Sequence, residues 1–387
     1  MIRSVLIVML AAAWALAVDV TTIDGRTLSG DTVAVRDGIL EVGTDRIPLE
    51  DVVGCAWSTA AAAPSAGPVF VFRNGDRMAG TIVGGEGDRL TVRSRSFGQV
   101  LIDLRRLEFI LCSGDGKLPA MAAPPAGDRV WFPNGDSLDG FVRRLAADGL
   151  VFESVAGTMH YAYGDLAGVA FQPIPAPAPV SARPHIRLTT AEGERVSGES
   201  LTVSAGGATL QSFLFSALSA APGMVRACEV VNGRLVYLSD LTPAAVTETP
   251  FWEGGFTWTH RTDRSVDGNP LVIGGRSYAR GLGVHSFCRL AYAAGGRYSR
   301  FIADIGIDDE VLQYGSVDFI VKGDGRELFR RAGVDTAMDP VPVSVDVTGV
   351  GTLELIVDFG PAYDIGDHAD WAGARLVRAP AAGETRP

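Results

Sequence analysis

The chain has 387 residues, of which 47% are hydrophobic and 20% charged, a composition that supplies a packed core and excludes wholesale disorder. The net charge of −11, without any Lys- or Arg-rich run, argues against nucleic acid as a partner. The 47 glycines follow no collagen period and therefore predict many tight turns, which is typical of β-structure.

The first 17 residues predict a secretory signal peptide. Arg3 precedes an uncharged apolar stretch over 5–16, and Ala15-Leu16-Ala17 offers a cleavage site of small residues. The stretch is too short for a comfortable membrane span, and no other apolar run approaches 18 residues. We therefore expect an exported chain without a transmembrane segment, located in the periplasm, at the cell surface or outside the cell.

A seven-residue motif recurs four times in the N-terminal part of the chain. It consists of an acidic residue or Asn, Gly, two variable positions, an apolar residue, one variable position and a second Gly. The copies lie at 24–30, 74–80, 134–140 and, in degenerate form, 192–198. A second Gly-containing turn follows each copy, and such turns favour tight hairpins. The pattern predicts antiparallel strands in repeats of similar design.

Each repeat continues with alternating segments and a predicted closing strand, at 47–52, 102–107 and 161–166 in the first three copies. Two hairpins and a closing strand predict a small barrel of Sm-like or SH3-like type. The repeats are assigned to residues 18–57, 68–112, 128–171 and 185–236. Leu138, Phe141, Val142 and Leu145 have helical spacing, but the aligned positions of the other copies predict strand and turn. Joints rich in Ala, Pro, Gly and Ser predict semi-stiff spacers between separate barrels.

The four cysteines show no C-x-x-C spacing, which argues against a zinc site. Their even number in an exported chain allows two disulfides in three connectivities. The alternative is that they are small buried apolar side chains. They are Cys55, Cys112, Cys228 and Cys288.

Composition changes after Val236, and residues 237–378 contain three of the six tryptophans, Trp252, Trp258 and Trp371. Alternating strands are predicted at 301–307, 316–321, 327–330, 341–347 and 352–359, with a hairpin turn at 322–326. Strands and turns without a helical pattern predict a β-sandwich of jelly-roll type. The whole chain is therefore predicted to be all-β, with an array of small barrels followed by a sandwich.

The run Tyr278-Ala279-Arg280-Gly281-Leu282-Gly283-Val284-His285-Ser286 resembles the signature of the NPCBM family, carbohydrate-binding modules with a galactose-binding-like β-sandwich. Further matches follow in family order at 298–301, 305–310, 315–319, 323–328 and 367–372. The resemblance covers about residues 237–377. It implies recognition of sugars, often of galactose type, without catalysis.

Sugar binding requires an aromatic face that stacks on a pyranose and planar polar groups that bind vicinal hydroxyls. The aromatic candidates are Trp252, Trp258, Tyr278 and Trp371. The polar candidates are Arg280, His285, Asp308, Asp309 and Asp370. Core packing is the alternative for a tryptophan in a sandwich strand, above all for Trp371. Burial against a backbone partner is the alternative for His285, which lies in a Gly-rich strand.

Two acidic loops could hold a structural calcium ion, since converging carboxylates and carbonyls are the ligands that Ca²⁺ prefers. The candidates are Asp308, Asp309, Glu310 and Asp367. Solvated turns are the alternative.

These patterns predict an exported, non-catalytic carbohydrate-binding protein whose repeats serve as a spacer or a second interaction surface. The glycan partner would be bound by the C-terminal sandwich. The alternative is a structural protein of the cell surface or periplasm whose sandwich has lost sugar binding and whose repeats bind envelope proteins. The sequence lacks G-x-S-x-G, H-E-x-x-H, P-loop and dinucleotide motifs, so we expect no enzymatic activity.

Overall fold

The computed structural model describes residues 17–60, 62, 67–112, 127–172, 181–361 and 363–379. The chain divides into two compact units, Met1–Gly233 and Arg234–Pro387. Both are built from antiparallel strands, and single 3-10 turns are the only helices in the described ranges, which confirms the all-β prediction. None of these turns has the length and apolar character that a membrane crossing requires. Apart from Ala17, the predicted signal peptide lies outside the described residues.

The four repeats form the strands of the first unit. Repeat 1 contains β1 (Val18–Thr22), β2 (Thr27–Gly30), β3 (Val33–Arg36), β4 (Ile39–Val42), β5 (Asp45–Pro48) and β6 (Val52–Trp57). Repeat 2 contains β7 (Val69–Phe72), β8 (Arg77–Ala79), β9 (Thr81–Glu86), β10 (Arg89–Ser94), β11 (Gly98–Asp103) and β12 (Leu107–Leu111). Repeat 3 contains β13 (Asp128–Trp131), β14 (Ser137–Ala146), β15 (Gly149–Ser154), β16 (Gly157–Tyr161) and β17 (Gly168–Ala170). Repeat 4 contains β18 (His185–Thr190), β19 (Arg195–Ser204), β20 (Gly207–Ser212), β21 (Ala217–Ala220) and β22 (Val225–Val231).

The stretch with helical spacing in repeat 3 is a strand, β14, as the alignment of the repeats predicted. The prediction of continuous closing strands was wrong, because a 3-10 turn interrupts each of these segments in repeats 1 to 3. In repeat 2 the Asp103 carboxylate accepts a hydrogen bond of 3.0 Å from the Arg105 amide, which caps the turn. The three turns are Leu49–Asp51, Leu104–Arg106 and Tyr163–Asp165. The closing strands β6, β12 and β17 begin only after them.

Closing strands join the repeats in pairs. β6 pairs with β1 of its own repeat and with β22 of repeat 4, while β12 pairs with β7 and with β17 of repeat 3. The buried apolar side chains of all four repeats form one cluster. The expected array of separate barrels is thus replaced by a single unit. The physical reason is that a closing strand paired on one side only leaves an open edge, which the second repeat covers.

The two glycines of the motif have different roles. The first adopts a positive φ in every copy, +85° at Gly25 and +91° at Gly135, which side chains other than glycine rarely tolerate. The second lies where two strands approach closely. At Gly80 a Cβ atom would lie 2.7 Å from the carbonyl oxygen of Arg93. A tight turn and a close approach therefore explain why the motif begins and ends with glycine.

The second unit contains thirteen described strands. They are β23 (Leu235–Tyr237), β24 (Ala245–Glu248), β25 (Arg261–Thr262), β26 (Leu271–Ile273), β27 (Arg276–Tyr278), β28 (Gly281–His285), β29 (Cys288–Ala293), β30 (Tyr298–Ile307), β31 (Ser316–Gly323), β32 (Arg326–Asp335), β33 (Val341–Asp346), β34 (Thr352–Phe359) and β35 (His368–Arg378). One sheet has the order β25-β28-β35-β30-β33, with β23 on β35, and the other has the order β24-β29-β34-β31-β32. A single 3-10 turn, Leu238–Asp240, follows β23.

A cluster of buried apolar side chains contributed by both sheets forms the core of a β-sandwich, in agreement with the prediction. The hairpin between β31 and β32 also lies where the sequence placed it, with Gly323 opposite Arg326. The unit begins slightly earlier than the expected residue 237. Leu235 pairs with Val377, so that β23 belongs to the sandwich and not to repeat 4.

The structure holds Cys55, Cys112, Cys228 and Cys288 as free thiols. Cys55 of β6 lies directly opposite Cys228 of β22, where repeats 1 and 4 meet. Cys288 is buried in the core of the sandwich. The cysteines therefore act as small apolar side chains, which was the alternative interpretation of the sequence.

Candidate functional site

The candidate site is built on two neighbouring strands of the sandwich, β28 and β35. Their register places His285 directly opposite His368. Two residues earlier in β28, Gly283 leaves room for another segment, since a Cβ atom there would lie 2.6 Å from the Cα atom of Ser265. Because Gly283 has no side chain, the loop that carries Ser265 and Asn269 packs directly against the sheet.

Three rings meet at this point. The Trp258 indole stacks on the His285 imidazole with centroids 5.2 Å apart and an interplanar angle of 16°. It also contacts His368 edge to face, with a centroid distance of 4.9 Å. The two imidazoles lie 5.5 Å apart. Trp258 remains partly exposed, so the cluster presents an aromatic surface next to two polar rings.

His285 is held in one orientation. Its side chain is 7% exposed, and its Nδ1 atom lies 2.8 Å from the carbonyl oxygen of Ser286, to which it donates. Burial lowers the pKa of the imidazole, and the neighbouring His368 acts in the same direction. The ring is therefore neutral near pH 7, with Nε2 as an acceptor for a hydroxyl group.

Glu310 provides a fixed carboxylate beside the rings. Its Oε1 accepts a hydrogen bond of 2.8 Å from His368 Nδ1, and its Oε2 accepts from Ser265 Oγ at 2.7 Å and from Asn269 Nδ2 at 2.9 Å. Burial alone would raise the pKa of Glu310, but these three hydrogen bonds bring it below the usual value. The carboxylate is therefore ionised at neutral pH.

A cation could be held at the same place. Asp267, Glu310 and His368 each offer one ligand atom, and these atoms lie within 4.8 Å of one another. Two carboxylate oxygens and an imidazole nitrogen form a donor set that suits a divalent transition metal better than Ca²⁺, which prefers oxygen ligands alone.

The four residues expected to bind calcium have different partners. Asp309 accepts hydrogen bonds of 2.7 Å from the amides of both Gly274 and Gly275, and so closes the turn between β26 and β27. Asp367 accepts from the Ser286 hydroxyl and the Ser316 amide. These carboxylates thus satisfy backbone and hydroxyl donors, and the expected calcium set does not converge.

Asp308 and Asp370 form a buried pair beneath the site. Asp308 accepts hydrogen bonds from the amides of Val272 at 3.0 Å and Glu310 at 2.9 Å. Asp370 is fully buried, and within the described ranges its oxygens receive no hydrogen bond. Burial and the facing Asp308 carboxylate raise the pKa of Asp370 well above its usual value. A protonated Asp370 can therefore donate a hydrogen bond to Asp308. This buried pair stabilises the site from the interior of the domain.

Three further candidates lie outside the ring cluster. Trp371 is 1% exposed and packs against Phe301 and Phe319, so it belongs to the core, and its expected contact with a sugar is corrected.

The other two are engaged in polar contacts. The Tyr278 hydroxyl donates to Asp304 at 2.9 Å, and Arg280 forms ion pairs with Asp240 and Asp263. Both side chains therefore hold loops to the sandwich.

Trp252 lies in a second aromatic group with Tyr363, described below. Sequence reasoning did not single out His368, Ser265, Asn269 or Tyr363. His368 stood in a motif of the family resemblance, but only the pairing of β28 with β35 brings it opposite His285.

The second unit is similar to known proteins. A model of the NPCBM/NEW2 domain matches residues 234–377, which confirms the resemblance found in the motifs. A protein of Renibacterium salmoninarum that carries the name of an endo-alpha-N-acetylgalactosaminidase is 35% identical over 111 residues, or 29% of this chain and 7% of that protein. Alpha-1,3-galactosidase B of Akkermansia muciniphila is 35% identical over 118 residues, or 29% of this chain and 14% of that protein. The chain thus spans only a small part of the length of these relatives.

Among solved structures, a CBM51 module from Clostridium perfringens GH95 in complex with methyl-galactose is similar. It shares 27% identity over 37% of this chain and 99% of its own, with a TM-score of 0.34. The match of the family model over residues 234–377 identifies the second unit as an NPCBM/NEW2 domain.

Proposed function

We propose that this chain is an exported, non-catalytic carbohydrate-binding protein whose sandwich binds a galactose-type glycan at the cluster of Trp258, His285 and His368. The observation that carries the proposal is the stacking of a partly exposed indole on a neutral imidazole beside the Glu310 carboxylate. An aromatic surface next to fixed acceptors suits a pyranose, which has one apolar face and several hydroxyl donors.

Two further observations support a sugar of galactose type. The match to a carbohydrate-binding family covers the unit that contains the cluster. Both curated relatives are named after enzymes that act on galactose or its N-acetylamino derivative, and their similarity to this chain is confined to about 29% of it. The repeats would then act as a spacer or as a second interaction surface.

The test is calorimetric titration of the full chain with methyl galactoside, followed by the same titration of Trp258→Ala and His285→Ala. We expect both variants to lose about tenfold or more in affinity, which corresponds to about 1.4 kcal/mol or more. Loss of the indole removes the stacking surface, and loss of the imidazole removes an acceptor.

Phe141→Ala is the matched control, because Phe141 is a half-exposed aromatic side chain of the repeat unit. It should leave the affinity unchanged. Absence of binding to methyl galactoside and to a broad glycan array by the folded chain would contradict the proposal and favour a structural role in the cell envelope.

A further inference from the structure

A second aromatic group lies on the surface of the sandwich unit. Trp252 and Tyr363 are 64% and 53% exposed, and their ring centroids lie 6.3 Å apart with a tilt of 38°. Large aromatic side chains exposed next to each other often mark an interaction site. We call this pair the aromatic platform.

The platform is supported from behind by a third ring. Phe251 contacts Trp252 and Tyr363 edge to face, with a centroid distance of 5.0 Å in both cases. Phe251 in turn packs against Phe359 at the end of β34, again at 5.0 Å. The two exposed rings are thus oriented by packing onto the sheet, so that a ligand would meet a surface ordered in advance.

A short series of contacts links the platform to the site at Trp258. The Phe251 amide donates to Asp364 Oδ2 at 3.3 Å, and the Asp364 carboxylate is close enough to His285 to act on it electrostatically. Phe359 also contacts Phe287, which follows His285 by two residues. Asp364 therefore interacts with a residue of each aromatic group, and its partly exposed carboxylate can accept hydrogen bonds from hydroxyl groups.

We propose that the aromatic platform binds the apolar face of a second sugar ring, so that the domain recognises an oligosaccharide whose terminal residue occupies the Trp258 site. This inference rests on the proposed function. Two aromatic surfaces linked through a carboxylate suit successive pyranose rings, each with an apolar face and hydroxyls at its rim. The acidic side chains of Asp267 and Asp364 disfavour an anionic membrane surface as the occupant.

The experiment compares methyl galactoside with a panel of galactose-terminated disaccharides by calorimetry on the full chain. We expect the best disaccharide to bind at least about tenfold more tightly than the monosaccharide, a difference of about 1.4 kcal/mol. In Trp252→Ala and Tyr363→Ala this gain should fall to about threefold or less, while the affinity for methyl galactoside stays within about twofold of the parent chain.

Trp252→Phe keeps an aromatic face and should retain most of the gain, and Phe141→Ala, far along the chain in a repeat, should retain all of it. If the parent chain binds methyl galactoside and binds no disaccharide more tightly, the proposed role of the platform is overturned. The proposed function is then unaffected. A gain in affinity for the disaccharide that persists in Trp252→Ala and Tyr363→Ala would also overturn the proposed role of the platform. If neither monosaccharide nor disaccharide binds, the proposed function fails and this inference with it.

Discussion

Asp76 and Glu194 occupy the same position in the motifs of repeats 2 and 4, and each accepts a hydrogen bond from the sixth motif position of the other repeat. Asp76 Oδ2 accepts from the Ser197 amide at 2.9 Å, and Glu194 Oε1 accepts from the Ala79 amide at 3.2 Å. Both carboxylates are buried. These reciprocal hydrogen bonds join two repeats that lie far apart in the chain. The two carboxylates occupy a motif position that varies between repeats.

Replacing Asp76 by Ala should destabilise the repeat unit by about 2 kcal/mol, because buried donors would lose their acceptor. The Ser197 hydroxyl also donates to Asp76, at 2.7 Å, so that the substitution leaves two donors unsatisfied. Urea unfolding of the full chain, followed through the repeat unit, measures the change in the free energy of unfolding.

Asp136 is the matched control, because it occupies the same motif position in repeat 3 but is exposed. Asp136→Ala should change the free energy of unfolding by no more than about 0.5 kcal/mol. Equal effects of the two substitutions would show that the buried exchange does not stabilise the fold.

Glu194→Gln should reduce the pH dependence of stability. Burial raises the pKa of Glu194 above its ordinary value of 4.5, although hydrogen bonds from the Ser94 hydroxyl, the Ala79 amide and the Thr190 hydroxyl offset part of the effect. Between the ordinary value and the raised one, the folded state binds more protons than the unfolded state, so the free energy of unfolding falls as pH rises. Glutamine keeps the acceptor and does not titrate. Unfolding free energies at a series of pH values from about 4 upward should therefore fall less steeply in the variant, and an unchanged slope would refute this account.

Gly80→Ala should destabilise the chain by about 1–3 kcal/mol, since a Cβ atom would meet the Arg93 carbonyl oxygen at 2.7 Å and one methyl group of Val92 at 2.6 Å. Gly84 in the following strand has no neighbour within 4 Å of the corresponding position. Gly84→Ala should therefore be neutral or slightly stabilising. Thermal unfolding of both variants distinguishes them, and a harmless Gly80→Ala would mean that the close approach does not require glycine.

Much of the secondary structure could be predicted because it depends on local signals. The turn at Gly25 and the hairpin between β31 and β32 follow from glycines next to alternating apolar residues. The helical spacing of Leu138 and Leu145 would predict a helix only if the aligned positions of the other repeats were ignored. The closing strands were predicted less well, because the apolar residues that indicate a strand occur equally in a 3-10 turn.

The pairing of repeats and the composition of the site could not be predicted in this way. Asp76 meets Ser197, and His285 meets His368, only because strands distant in the chain adopt one particular register. Register depends on how whole faces pack, and no local pattern records it. Trp258 and His285 were candidates on chemical grounds, whereas the partners that orient them are visible only in the fold.

The four thiols should react slowly with a thiol reagent in the folded chain and completely once it is unfolded. Thiolate is the reactive form, and the structure disfavours it at Cys55, Cys112 and Cys288, while Cys228 is buried opposite Cys55. The neighbouring Cys228 thiol and burial raise the pKa of Cys55, and burial raises the pKa of Cys112 to about 12 and that of Cys288 as well. Titration in denaturant without reductant should therefore count four thiols per chain. A count of two would mean that a disulfide has formed, and Cys55 with Cys228 would be the first pair to examine by peptide mapping because the two face each other across β6 and β22.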